Sequence, residues 1–164
     1  MKIVFVNPPL HATDKHYLSP PLGLMVLVEI AINNGWEVDL IDLSVNWDNE
    51  NELSAPLFYE ASAAKILKTD PCVVAITSMG LNSHVAIRLA ESIKAVRQDV
   101  VILGGGPHLG SIGAALFGRG VTRGFDAIVK GEGELQFTKI LQAIASRPNE
   151  PLPRVFDSRE DRAV

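Results

Sequence analysis

The sequence holds one cysteine, Cys72, among 164 residues. A single cysteine forms no internal disulfide, and it builds neither a Cys-rich zinc site nor a cradle for an iron–sulfur cluster. No apolar run reaches the roughly 18–20 residues of a membrane span. The apolar start, broken by Pro8 and Pro9, is too short for a secretory signal. Positive charge is not in excess: 15 Lys and Arg stand against 19 Asp and Glu, a formal net charge of −4. Without a basic cluster the chain matches a phosphate backbone poorly, so no nucleic-acid partner is expected. Histidines are few (His11, His16, His84 and His108), and no pair has the H-x-x-x-H spacing of a helical metal site. No Ser-His-Asp or Cys-His arrangement is visible. These absences leave a soluble, cytoplasmic chain of one domain, with no membrane partner, as the expectation.

What is present is a core. Hydrophobic residues make up 47% of the chain, enough to exclude intrinsic disorder. Five short runs rich in Val and Ile, at Lys2–Asn7, Glu37–Asp42, 72–78, 100–103 and Ala127–Lys130, alternate with helix-like segments. The runs are apolar at consecutive positions, which predicts strands buried on both faces of a parallel sheet. Between them, Leu24, Leu27, Val28, Ala31 and Ile32 repeat at helical spacing, as do Val85, Leu89, Ile93 and Val96, and Phe137, Ile140, Leu141 and Ile144. Residues 55–68 and 111–117 are expected to be helical too, and Asn82 or Ser83 to cap the helix that follows. Five β–α units in a row predict a doubly wound α/β domain with helices on both faces. Right-handed crossovers bring all strand C-termini to one sheet edge, where ligands bind at the reversal of strand order. The tail from Pro148 on, with Pro151, Pro153 and a charged stretch, reads as a linker or partner-binding extension. The expected division is 1–147 for the domain and 148–164 for the extension.

The strand-end loops carry the candidate chemistry. The first, with Asn7, Pro8 and Pro9 at its start and Leu22 and Gly23 at its end, is long for a βα connection and suits a wall over a large ligand. After the third strand, Thr77 and Ser78 offer hydroxyls to a ligand's polar edge, followed by Met79 and Gly80. Capping of the next helix explains Ser78 nearly as well. The fourth strand ends in Gly104-Gly105-Gly106-Pro107-His108. Three glycines permit positive φ and let a ligand lie against bare backbone. The run is neither the G-x-G-x-x-G of nicotinamide cofactors nor a P-loop. Gly131-Glu132-Gly133-Glu134 follows the fifth strand. Glu134 suits a helix N-terminus, and Glu132 sits nearer the expected crevice.

These blocks, in this order, resemble the cobalamin-binding domain found N-terminal in cobalamin-dependent radical SAM enzymes, over about residues 1–147. The resemblance implies a flavodoxin-like, five-stranded sheet of order 2-1-3-4-5. It implies a corrin ring over the C-terminal edge of the sheet, with the dimethylbenzimidazole nucleotide tail inserted beside the sheet. Thr77 matches a small hydroxyl position of the family and Met79 a Leu position, while Gly104, Gly105 and Gly106 would let the tail pass. In the methionine synthase and mutase branch, Asp-x-His-x-x-Gly follows the first strand and its His ligates cobalt. Here Asp14 and His16 are followed by Tyr17, Leu18 and then Ser19 in place of Gly. The resemblance therefore implies base-off cobalamin without a protein His ligand, with Tyr17 and Leu18 facing the lower side of cobalt and His16 a minor candidate as ligand. The family continues into a barrel with Cys-x-x-x-Cys-x-x-Cys, which this chain lacks. The 4Fe–4S cluster and SAM are thus expected only in a partner radical SAM domain or protein. The competing readings are a flavodoxin-like regulatory or interaction module that binds no corrin, and a small α/β enzyme using the glycine-rich loop. The second is disfavoured by the lack of an acid–base or nucleophile pair.

Overall fold

A computed structural model describes residues 1–9, 20–45, 55–147 and 150–158. In chain order the elements are β1 (Lys2–Asn7), α1 (Leu22–Asn33), β2 (Glu37–Asp42), α2 (Pro56–Leu67), β3 (Val73–Thr77), a 3₁₀ turn (Gly80–Asn82), α3 (Ser83–Val96), β4 (Val101–Gly105), α4 (Pro107–Gly118), β5 (Ala127–Lys130), α5 (Gly133–Ser146) and β6 (Val155–Asp157). The strands form one parallel sheet of order β2-β1-β3-β4-β5-β6.

Period-two alternation sorts the strand side chains into two cores. Val4, Val6, Val74, Ile76, Ile102 and Ile128 pack with α2, α3 and Leu109 of α4. Ile3, Phe5, Val73, Ala75, Leu103, Ala127 and Val129 pack with α1 and α5. Both sets are buried, which is why the central strands show no polar alternation.

Three expectations need correction. The sheet has six strands, not five. The sixth comes from the segment read as a linker: Val155, Phe156 and Asp157 pair with Ile128, Val129 and Lys130. Leu152 and Phe156 pack against the α1/α5 core, so this part of the tail is held by apolar burial and ladder bonds. Second, β2 is not buried on both faces. It is an edge strand, exposed or half-buried along its length, and Glu37 and Asp39 reach the Lys2 ammonium at 3.1 and 2.9 Å. Charges on an edge strand also discourage pairing with another chain. Third, β4 runs through Gly104 and Gly105, which pair with Ile76 and Thr77 of β3. Two of the three glycines therefore lie within the sheet and only Gly106 turns out of it.

Strand order reverses at β1, whose neighbours are β2 on one side and β3 on the other. The C-terminal end of β3 lies next to that reversal, with those of β4 and β5 beyond it along the same sheet edge, where ligands of such sheets bind. No helix among the described residues is long and apolar enough to cross a membrane.

Candidate functional site

A cleft of about 520 Å³ opens at the C-terminal edge of the sheet, on the α1/α5 face. Its floor is Ala75, Leu103, Val129 and Phe137, its near wall Gly23, Leu24 and Leu27 of α1, and its rim Gly105–Pro107 and Gly131–Glu134. Phe137 is fixed by Phe5 beneath it, ring centroids 5.5 Å apart. Polar groups are few: the Thr77 and Ser111 hydroxyls and the two glutamates line it, and Lys130 borders it with its ammonium held by Asp157 at 2.6 Å. A mostly apolar pocket with a few placed polar groups is the usual form of a small-molecule site, and its volume lies in the usual range.

The three glycines have three different causes. A Cβ on Gly104 would lie 2.6 Å from Ile128 Cδ1 and 2.9 Å from Phe125 Cδ1. Its missing side chain is thus replaced by core packing on the face away from the cleft. Gly106 has φ +91°, and a Cβ there would lie 2.7 Å from the Ser78 carbonyl oxygen. It is required by the backbone turn. A Cβ on Gly105 would meet only Val129 Cβ, at 3.8 Å, an ordinary contact. Strand alternation puts it on the same face as Leu103, so Gly105 alone presents bare backbone to the cleft without a packing reason. Gly133 is similar, its added Cβ 3.5 Å from Leu27 Cδ2.

The expected site residues divide accordingly. Gly23, Thr77, Gly104, Gly105, Gly106, Pro107, Gly131, Glu132 and Gly133 surround the cleft. Leu22 and Met79 are exposed at the same sheet edge, outside the cleft. Gly80 and the half-buried His108 lie beside each other there, with His108 Nδ1 3.8 Å from the Cβ position of Gly80. Ser78 is fully buried and its hydroxyl donates to the Met79 carbonyl at 3.2 Å. Its backbone N–H donates to Gly105 O, and its carbonyl accepts from the His108 N–H. Ser78 thus ties β3 to the start of α4. The Asn7 amide donates to Asp42 at the end of β2 (3.1 Å), on the side away from the cleft. Pro8 and Pro9 are buried beside it. His16, Tyr17 and Leu18 lie outside the described residues.

Asn82 does not cap α3 through its side chain as expected. Its Oδ1 accepts the Met79 N–H at 2.7 Å and its Nδ2 donates to the Pro8 carbonyl at 3.1 Å. No side-chain cap bond to α3 is present. A side chain 1% exposed therefore joins the loops after β1 and β3 across the strand reversal. Asn82→Ala leaves the Met79 N–H and the buried Pro8 carbonyl without these partners, and is expected to cost about 1–3 kcal/mol. Urea unfolding followed by circular dichroism measures the loss; an unchanged midpoint would contradict this account of the residue. Leu24, Leu27, Val129, Lys130 and Phe137 were not expected in the site. For Leu24, Leu27, Val129 and Phe137 the sequence signal is the helical and strand period that places them on the same face as Phe5; Lys130 alternates to the opposite face of β5 and only borders the cleft.

The family profile of the B12 binding domain matches residues 13–141. An uncharacterized methyltransferase of Pyrococcus horikoshii is 31% identical over 148 residues, covering 88% of this chain and 30% of the relative. Among solved structures, the cobalamin-dependent S-adenosylmethionine radical enzyme OxsB, with aqua-cobalamin and S-adenosylmethionine bound, superposes with a TM-score of 0.66 at 15% identity. That match covers 88% of this chain and 19% of OxsB, and it speaks to the fold. The chain thus spans under a third of either longer protein. Matched over most of its length, and carrying its cleft at the C-terminal strand ends of a parallel sheet, the chain belongs to the B12-binding domain family.

Proposed function

We propose that this chain holds cobalamin at the C-terminal edge of its sheet, with the nucleotide tail in the cleft, and presents the corrin face to a radical SAM domain or protein. The observation that carries the reading is Gly105: a strand residue with no packing reason to be glycine, opening bare backbone onto an apolar cleft. The donor set fits the group. Leu24, Leu27, Leu103 and Phe137 offer apolar surface to an aromatic base, and Thr77 and Ser111 offer hydroxyls to a sugar-phosphate. Bound cobalamin would supply methyl-transfer chemistry to the complete system. This chain's part is to bind and orient it. The exposed Leu22, Met25 and Met79 at the same edge give an apolar surface against which a corrin or a partner can pack. The partner reading is supported by the greater length of both relatives and by the radical SAM chemistry of OxsB. The cofactor is proposed to be base-off without a protein His ligand.

The test mixes the purified chain with hydroxocobalamin, removes free ligand by gel filtration and records the visible spectrum. Corrin absorbance is expected to co-elute with the protein; its absence overturns the reading. The spectrum of the His16→Ala variant is expected to match wild type. A shifted spectrum would instead make His16 a cobalt ligand.

A further inference from the structure

The segment ending at Ser158 is bonded to the turn that forms one rim of the cleft. The Ser158 N–H donates to the Lys130 carbonyl at 3.1 Å, and its hydroxyl accepts the Glu132 N–H at 3.1 Å. One residue earlier, Asp157 pairs with the Lys130 ammonium at 2.6 Å, and its carbonyl accepts from Gln136 Nε2 at 3.4 Å. Ser158 is 3% exposed. Gly131, at φ +83°, is glycine for a related reason: a Cβ there would collide with the Ser158 hydroxyl. The rim glycine thus makes room for the tail.

We infer that Ser158 is a positioning residue for the cleft: its hydroxyl holds the Glu132 amide, and so the Gly131–Gly133 turn, in the shape that receives the cofactor. Ser158 itself is not among the residues lining the cleft, so it acts through the turn. A backbone amide fixed by a hydroxyl stays in one orientation; released, the turn samples others, and only a fraction of molecules remain competent to bind. The inference rests on the proposed cobalamin site.

The experiment uses the full chain and two readouts. Hydroxocobalamin titration should show Ser158→Ala raising Kd roughly tenfold, about 1.4 kcal/mol. Ser158→Thr keeps the hydroxyl and should stay within about threefold of wild type, since a retained acceptor restores the bond. Amide hydrogen exchange without ligand should show Glu132 exchanging faster in Ser158→Ala, with Ile128 in β5 unchanged. An unchanged Kd for Ser158→Ala overturns the inference even if the melting temperature falls, because that outcome leaves Ser158 a structural support only. Unaltered Glu132 exchange overturns it as well. If the wild-type chain retains no hydroxocobalamin, the cobalamin reading fails, and the Glu132 exchange alone decides whether Ser158 holds the turn.

Discussion

Gly105→Phe is expected to abolish hydroxocobalamin binding while leaving the fold intact. An added Cβ at Gly105 meets nothing nearer than Val129 Cβ at 3.8 Å. The position lies in a regular parallel strand, paired with Thr77, and its φ is not in the left-handed region. The backbone therefore accepts a side chain, and the ring projects over Val129 into the cleft of about 520 Å³. A ligand that needs that space must be displaced or lose its contacts with Leu103 and Phe137. The expected loss is at least roughly 100-fold in affinity, about 2.7 kcal/mol. Gly105→Ala separates the two roles more finely. Replacing a glycine by alanine where the backbone accepts a side chain stabilises the fold by about 0.4–1 kcal/mol, while a methyl in the cleft weakens binding. Opposite signs in urea midpoint and in cobalamin affinity are the expected signature. Wild-type affinity in Gly105→Phe would remove the main support for placing the nucleotide tail in this cleft.

The architecture was legible where the signal is local. Consecutive Val and Ile in β1, β3 and β5, and helical spacing in α1, α3 and α5, locate those elements to within a residue or two. Elements defined by distant partners were not legible in this way. The run Val155–Asp157 is too short and too close to prolines to show a period, and it is a strand only because β5 offers it a ladder. Acidic residues in β2 mark an edge, yet its Val, Leu and Ile read as buried until Lys2 is seen beside Glu37 and Asp39. The site shows the same division. The strand-end loops meet at one edge because parallel topology alone sends them there, and the ends of β3, β4 and β5 line the cleft. Which residue in each loop faces the cleft was hidden. Ser78 looks like a ligand donor and is buried scaffolding. Asn82 looks like a cap and is a bridge to Pro8, 74 residues away. Gly131 looks like a ligand glycine, and part of its cause is Ser158.

The same logic sets the opposite outcome one residue along. Gly106→Ala is expected to damage the fold itself, at a cost of about 3–5 kcal/mol. Two penalties add. At φ +91° and ψ 173° the backbone lies in a region open essentially to glycine alone. The new Cβ would also lie 2.7 Å from Ser78 O and 2.8 Å from Ser78 N. Those atoms cannot retreat cheaply, because the Ser78 N–H donates to Gly105 O at 2.9 Å and Ser78 O accepts the His108 N–H at 3.2 Å. Relieving the clash breaks the bonds that join β3, β4 and the first turn of α4. Urea unfolding should show a large drop in midpoint with an unchanged slope, since the surface exposed on unfolding is the same. A midpoint equal to wild type would show that the turn after β4 is not built as described. Adjacent glycines, identical in the sequence, are thus expected to respond in opposite ways: at Gly105 a side chain spares the fold and blocks the proposed cobalamin site, whereas at Gly106 it damages the fold before any ligand arrives.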